Sequence, residues 1–409
     1  MKVPTMAKTG ATTSVELRAH NRVRLLRAVH DCGASRTRSQ LTRDLELARG
    51  TASVLVHELV ADRLLHEEPA QEHGRGRPTQ VPGPHREGPL ALAVDVREDA
   101  WEVAACELGG HVTVLKVRRH DGTPEGALVP LGKELRAHLG RLGDRVVGVG
   151  VAVAGPVRGH GLVDVAHLRW HAVDVPGLLV SGAQQADPAL AGARVGNDTA
   201  FAALAEARRG RLRGVGVGLH LHVDFDLGGV LVVDGRPLAG AGGIGAEFGH
   251  MPLTGGTAPC MCGAVGCWGM DVGTNALLRH LGLAFGGGQG REQAELLVAG
   301  AAAGDAAALE ALTSSARSLG RGVAALVNAH DPEAVTLSGL AVDLYEHALP
   351  AITGGFGPGL MAIRRERPPR LEASALGWRG PLIGAMESVF DEFLTPEGVE
   401  SWRRTRQGA

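Results

Sequence analysis

Between Ser14 and Val81 the apolar positions recur three times at helical spacing and then alternate as in a short hairpin. Leu17, Val23, Leu25, Leu26 and Val29 mark one face of a first helix ending near Gly33. Ser35 is placed to cap a second helix carrying Leu41, and the Leu45-Glu46-Leu47 turn leads to a third with Val54, Leu55, Leu59 and Val60. Leu64 to Glu68 reads as a strand and Gln80-Val81 as its return partner. Three helices and a hairpin predict a winged helix-turn-helix over residues 14–81, after a flexible N-terminus over 1–13. Pro82, Gly83, Pro84, Gly88 and Pro89 then break the periodicity and predict a linker over 82–89. From Leu90 the pattern changes. Leu90 to Val96, apolar except for Asp95, is a run of the kind a strand buried on both faces shows, and Trp101–Leu108, Val112–Val117 and Val146–Val153 follow as further strands. Helix and strand alternate onward, which predicts an α/β fold with two lobes over 90–409.

Composition narrows the function classes. With 409 residues, 44% of them apolar, the chain has room for two or three domains with substantial cores. Its net charge of -2 gives no overall attraction to nucleic acid. Residues 1–90, however, hold 14 Lys and Arg against 10 Asp and Glu, so positive charge gathers on the predicted winged helix. Aromatic residues make up only 3%, too few for a platform that stacks single-stranded bases. The chain shows neither a signal peptide nor an apolar run long enough to span a bilayer, which points to the cytoplasm and away from membranes.

In a winged helix the third helix enters the major groove N-terminus first. Arg49, Thr51 and Ser53 are therefore candidates for base edges or phosphates, with His57 further along and Arg36 and Arg38 at the second helix. The wing carries Arg75 and Arg77 around Gly76, which suits insertion into a narrow minor groove. A winged helix can also serve as a protein-interaction module, and arginines on a helix are commonly a solvated face. The paired wing arginines favour duplex DNA.

His250, Cys260, Cys262 and Cys267 lie within eighteen residues and include three of the five cysteines. Thiolates and an imidazole match zinc's preference for sulfur and nitrogen in a tetrahedron, and a glycine-kinked C-x-C-G-x-x-G-C knuckle can wrap one ion. Four protein ligands leave no open position, so the zinc is expected to be structural. Unliganded cysteines or one disulfide are the alternatives, but three close thiols pair badly. Cys32 and Cys106 fall in apolar segments and read as buried thiols.

Glu247-Phe248-Gly249-His250 followed by Cys260-Met261-Cys262-Gly263-Ala264-Val265-Gly266-Cys267 also resembles the signature of the ROK family, which holds sugar kinases and sugar-responsive repressors. The resemblance implies a two-lobed actin-like ATPase (sugar kinase) fold with its zinc knuckle at 247–267. The N-terminal segment resembles the DNA-binding domain of ROK repressors at Asn21, at Ser35-Arg36 and at Gly74-Arg75-Gly76-Arg77-Pro78-Thr79. It departs from them at Ala48, where the family places a capping serine, a loss of about 1 kcal/mol of helix stability.

The loops that should hold ATP depart further. Val96-Arg97-Glu98-Asp99 stands where family kinases carry Gly-Gly-Thr, and Asp224-Phe225-Asp226-Leu227-Gly228-Gly229 where they carry Gly-Thr-Gly before the aliphatic residue. Leu337-Ser338-Gly339-Leu340 keeps one glycine of the adenosine turn. Phosphates need close approach of backbone N–H groups, which small residues allow, and Glu98, Asp99, Asp224 and Asp226 would confront a polyanion. Arg97 and magnesium can offset part of that charge.

On the sugar side the resemblance implies that Asn197 binds hydroxyls and that Asp198 is the vestigial catalytic base, although Asn or Asp before a helix is equally an ordinary N-cap. Glu247 and His250 match sugar-facing positions. His167 replaces an expected asparagine, and Trp268-Gly269 follows Cys267 where the family has a sugar-binding glutamate, so that carboxylate is absent. The expectation is a DNA-binding regulator, more in the manner of a repressor, that lacks kinase activity. Its partners would be a double-stranded operator and a sugar or sugar-phosphate effector, and it would act as a homodimer or homotetramer. The alternative is an ATP-dependent sugar kinase fused to a DNA-binding domain.

Overall fold

Apolar spacing in the N-terminal segment is realised as helices α1 (Ser14–Asp31), α2 (Arg38–Asp44) and α3 (Arg49–Ala61), followed by the antiparallel pair β1 (Leu65–Pro69) and β2 (Gln80–Pro84). The structure is a computed structural model, and it describes residues 14–70, 79–183, 187–245, 247–283 and 291–407. Leu25, Leu26 and Val29 of α1, Leu41 of α2 and Leu55 and Leu59 of α3 form the core of this unit. Leu17 and Val54, both expected on buried faces, are exposed.

Thr37, rather than the expected Ser35, caps α2. A capping box needs a Glu or Gln three residues on: Thr37 has Gln40, whereas Ser35 is followed at that distance by Arg38. Gln40 N donates to Thr37 Oγ1 at 3.2 Å, and Thr37 N donates to Gln40 Oε1 at 2.8 Å. Ser35 instead donates to Cys32 O at 2.6 Å, closing the end of α1. At α3 the N-cap Ala48 supplies no side-chain bond, as its methyl dictates.

Two boundaries differ from expectation. Strand β2 runs through Pro82 and Pro84, so the segment expected as linker begins as sheet; proline is tolerated there because a two-stranded ribbon leaves alternate N–H groups unpaired. The compact unit also takes in the turn Glu107–His111 and the chain from Phe390 on. Trp402 Nε1, in the helix Pro396–Gln407, donates to Asp62 O at 2.9 Å just after α3, and Phe390 lies 4.8 Å from the ring of His30. Arg27 Nη1 meets Asp391 Oδ1 at 2.7 Å.

The second unit carries two five-stranded sheets built on one plan. The first consists of β3 (Leu90–Val96), β4 (Ala100–Glu107), β5 (Val112–Arg119), β6 (Val146–Val153) and, after the small antiparallel sheet β7 (Val157–Arg158), β8 (Leu162–Val165) and β9 (Trp170–Asp174), β10 (Arg194–Asn197). Helices α4 (Pro124–Leu142), α5 (Val175–Ala183) and α6 (Pro188–Ala191) belong to this lobe. After α7 (Asp198–Arg209) comes the second sheet, with β11 (Val217–Val223), β12 (Leu227–Val233), β13 (Arg236–Pro237), β14 (Ala334–Gly339) and β15 (Arg370–Ala373). Its helices are α8 (Thr274–His280), α9 (Arg291–Ala302), α10 (Ala306–His330), α11 (Leu340–Gly359) and α12 (Ala362–Glu366), with α13 (Gly380–Phe393) following. The spatial orders β5-β4-β3-β6-β10 and β13-β12-β11-β14-β15 are the same arrangement twice, an antiparallel hairpin continued by parallel strands. This duplication is the two-lobed actin-like fold.

Leu92, Val94, Val151 and Val153 pack with Leu128, Leu131 and Leu135 in one lobe, and Leu219, Leu221, Val335 and Leu337 with Leu319, Val323 and Leu344 in the other. The second core encloses a polar ladder. His220 Nδ1 lies 2.8 Å from Thr336 Oγ1, His222 Nδ1 lies 2.8 Å from Ser338 Oγ, and His220 Nε2 lies 3.0 Å from the same hydroxyl. Burial drives both histidines down, to about 3 and about 4, so they remain neutral. Cys106 is buried and its thiol is pushed up to about 12 by burial, whereas Cys32, expected to be buried too, is half-exposed near the end of α1. Among the described residues no single helix is long and apolar enough to cross a membrane.

Candidate ligand cleft and metal centre

The ends of β3, β6, β10 and β11 converge on a cleft of about 480 Å³, a size that suits a small polar ligand. Asn197 closes β10 and caps α7: Ala200 N donates to its Oδ1 at 3.0 Å, and its Nδ2 donates to Gly155 O at 2.9 Å. The capping reading therefore holds for Asn197, and the same geometry leaves it on the cleft wall. Asp198 follows, with Thr199 N donating to its Oδ1 at 2.6 Å. Burial raises this carboxyl to about 8, against the pull of that N–H. His167, Glu247 and His250 line the same cavity, so the five ligand residues expected from the sequence are brought together.

The expected loss of a carboxylate at Gly269 is compensated in space. A Cβ at Gly269 would lie 1.8 Å from Asp226 Oδ1, so the Asp226 side chain fills the room a residue 269 side chain would need. Asp226 Oδ2 in turn meets His167 Nε2 at 3.1 Å. Burial opposes a charged His167 ring, but the Asp226 bond and nearby Glu98 carry its pKa above the ordinary value. The His167 and Gly269 departures are thus parts of one rearrangement, in which a carboxylate enters from the β11–β12 turn. Gly269→Ala is expected to cost about 1–3 kcal/mol, as overpacking does, and Asp226→Gly in the same chain to restore most of it. A double-mutant cycle by denaturant unfolding reads the coupling; additive effects would refute the contact.

The remaining loop acids fall into two sets. Asp99 is turned to Arg97, whose Nε lies 3.4 Å away, rather than into the cavity as expected. Arg97 Nη1 also lies 3.9 Å from Asp95 Oδ2, a buried group raised by desolvation to about 7. Glu98, Asp224 and Asp226 do line the cavity. Asp224 Oδ2 lies 3.8 Å from Arg291 Nη1, and the Arg291 guanidinium stacks over the Trp378 ring at 4.2 Å beside the β14–α11 turn. Sequence reading missed His222 at this wall, although two histidines alternating within an apolar strand were its signal.

Glu98 is 4% exposed, and burial lifts its carboxyl to about 8 in the company of His167, Asp224, Asp226 and Asp198. Since that value lies above the ordinary 4.5, the native state keeps the proton while the unfolded chain releases it. The stability gained from the neutral group is complete below 4.5 and is lost as pH rises through about 8. Glu98→Gln, which has no proton to lose, is expected to gain on the native protein by on the order of 1 kcal/mol per pH unit across that interval. Comparing the two proteins cancels the opposing contribution of His220 and His222; a gap between their thermal melts that does not change with pH would contradict a neutral Glu98.

Beside the cleft, the knuckle closes as its glycines dictate. Cys260 N donates to Ala264 O at 2.8 Å and Gly266 N to Ala258 O at 2.9 Å. Gly263 and Gly266 sit at φ of 93° and 75°, and a Cβ at Gly266 would meet Gly256 O at 2.2 Å. A ring nitrogen of His250 and the sulfurs of Cys260, Cys262 and Cys267 all lie within 4.8 Å of one another, with His250 Nδ1 3.7 Å from Cys260 Sγ. Burial and mutual proximity raise the Cys267 thiol to about 12; a dication supplies the positive charge that three adjacent thiolates require. The donor set fits a closed zinc site. The far nitrogen of His250, Nε2, lies 4.0 Å from Glu247 Oε2, so a metal fixing the ring also braces a cleft carboxylate.

In the N-terminal unit, Arg49, Thr51, Ser53 and His57 of α3 are all exposed, with Arg49, Ser53 and His57 at the i, i+4 spacing that shares one face. Arg36 and Arg38 already have carboxylate partners, Asp44 at 2.7 Å and Glu67 at 3.2 Å. Arg75 and Arg77 lie outside the described residues.

Residues 92–391 match the ROK family. A glucokinase of Aeropyrum pernix is 30% identical over 266 residues, spanning 61% of this chain and 81% of that protein. The xylose repressor of Bacillus subtilis is 22% identical over 370 residues, 88% of this chain and 92% of its own. Among solved structures, a ROK family transcriptional regulator, described as a homologue of the E. coli MLC protein, superposes with a TM-score of 0.67 over 95% of this chain and 99% of its own. At 21% identity that likeness shows a shared fold.

Proposed function

Since this chain belongs to the ROK family, we propose that it is a DNA-binding transcriptional regulator, working as a repressor, whose ROK domain binds a sugar-class effector without transferring phosphate. The exposed face of α3 carries the reading. A helix that buries Ala52, Leu55, Val56 and Leu59 while presenting Arg49, Thr51, Ser53 and His57 has the side chains of a groove-reading element. Similarity to a repressor over 88% of the chain supports it from a separate direction.

Loss of phosphoryl transfer is supported by the cleft. Glu98, Asp224 and Asp226 stand at the loops that family kinases keep small: Glu98, held neutral, fills space there, and Asp224 and Asp226 add like charges, which near 4 Å repel by about 4 kcal/mol at an effective dielectric of 20. Arg97 and Arg291, the nearby cations, are engaged with Asp95, Asp99 and Asp224. Zinc at the His250, Cys260, Cys262 and Cys267 site would be structural. A winged helix reading two half-sites implies at least a homodimer.

The competing reading, a sugar kinase with a fused DNA-binding domain, draws on the 30% identical glucokinase and on Asp198 facing the cleft. Two assays separate them. The native protein is expected to shift duplex from its own upstream region and to form no hexose phosphate with magnesium and ATP. Turnover that Asp198→Asn abolishes would reverse the assignment.

A further inference from the structure

Within the cleft the carboxylates divide by what already answers their charge. Asp95 has Arg97 at 3.9 Å, Asp224 has Arg291 at 3.8 Å, and Asp226 has His167 at 3.1 Å. Asp198 accepts from Thr199 N at 2.6 Å and from Asn197 Nδ2 at 3.0 Å. Glu98 is 4% exposed and lines the cavity, and its Oε2, like Asp224 Oδ1, has no hydrogen-bond partner among the described residues; unlike Asp224 it makes no ion pair with an arginine there, and the His167 ring that faces it is already bonded to Asp226. A buried acceptor left unsatisfied is unfavourable, and more so if charged, so the group is poised for a donor from outside the protein.

We propose that the cleft binds a polyhydroxylated amine, a hexosamine-sized molecule whose ammonium group seats on Glu98 while its hydroxyls meet Asn197, Asp198 and Glu247. The inference rests on the reading of this cleft as the effector pocket, and it names the chemical class of the effector. An ammonium supplies both the missing donor and the countercharge. Its arrival ionises Glu98, releasing the proton that burial holds on the empty site. A sugar phosphate meets the opposite situation, because Asp224 and Asp226 face its dianion and its approach does not draw the proton from Glu98.

A hard metal ion fits less well than an organic cation. Among the described residues, the histidine, cysteine and carboxylate donors that converge within 4.8 Å are those of the His250 and cysteine quartet, not the cleft acids. Divalent cations need several oxygens on one point. The volume of about 480 Å³ also exceeds what an ion needs.

Calorimetric titration of the full-length protein with glucosamine, mannosamine and galactosamine, each beside its neutral hexose, N-acetylglucosamine and glucose 6-phosphate, tests the assignment. At least one hexosamine is expected to bind about tenfold or more tighter than its neutral counterpart, the discrimination one charged hydrogen bond supplies. Its heat should vary with buffer ionisation enthalpy as a proton is released. Glu98→Gln, which folds without the buried acid, is expected to bring the amine-to-neutral ratio near one. A neutral hexose or the phosphate binding as tightly, or a ratio unchanged in Glu98→Gln, overturns the amine assignment and leaves the cleft a sugar pocket. No heat from any of these ligands overturns both ligand readings, while duplex binding, measured separately, stands or falls by itself.

Discussion

Stripping the metal from the His250, Cys260, Cys262 and Cys267 quartet is expected to lower the melting temperature by on the order of 10 °C. Removing a structural metal costs about 4 kcal/mol, and a domain of this order shifts by about 2–4 °C per kcal/mol. The free thiols left behind are crowded, since Cys262 and Cys267 sulfurs lie 3.7 Å apart. Ligand affinity should fall with stability, because the loop that loses its tether carries Glu247 into the cleft. Cys262→Ser should reproduce the effect and Cys32→Ser, remote in sequence and outside the quartet, should not. Metal analysis of the purified protein should return one zinc per chain; a chain that contains none and melts the same with and without chelator would rule the site out.

Affinity for duplex DNA is expected to fall by about 10³ to 10⁵ between about 50 and 200 mM salt, the drop that goes with about 6–10 neutralised phosphates. A pair of winged helices reaches phosphates in that range. Arg49→Ala at the N-terminus of α3, or Arg75→Ala with Arg77→Ala at the wing, should lower the slope of log affinity against log salt by about one for each phosphate that no longer meets an arginine. Thr51→Ala and Ser53→Ala should instead relax discrimination between operator and unrelated duplex if their hydroxyls meet base edges. Fluorescence anisotropy over a salt series separates the two kinds of effect. Binding that ignores salt would point to the exposed face of α3 as a surface for another protein.

Local signals make much of this legible. Helix spacing, the hairpin strands, the apolar run of β3 and the C-x-C-G-x-x-G-C knuckle each depend on residues a few positions apart, and each is found where its pattern puts it. Ser35 competes with Thr37 in the sequence because two hydroxyls stand near one helix start, and only the partner at Gln40 distinguishes them. Leu17 and Val54 read as buried because periodicity gives the face of a helix and not which part of it is covered.

What escapes the sequence is tertiary. A missing carboxylate after Cys267 looks like plain loss, since nothing near Gly269 announces that Asp226 fills its space. Glu98 reads only as an obstacle to phosphate. Its burial without a partner, and hence its readiness for a cation, exists once the β3–β4 turn is folded into the cleft.

The helix Pro396–Gln407, whose Trp402 is hydrogen-bonded beside α3, has a consequence for synthesis. The ribosome makes the winged helix early and the piece that completes its packing last among these elements, with the whole effector domain in between. A nascent or prematurely terminated product therefore carries an incompletely packed N-terminal unit. If this unit reads DNA as proposed, the reading waits until the chain beyond Phe390 has been made.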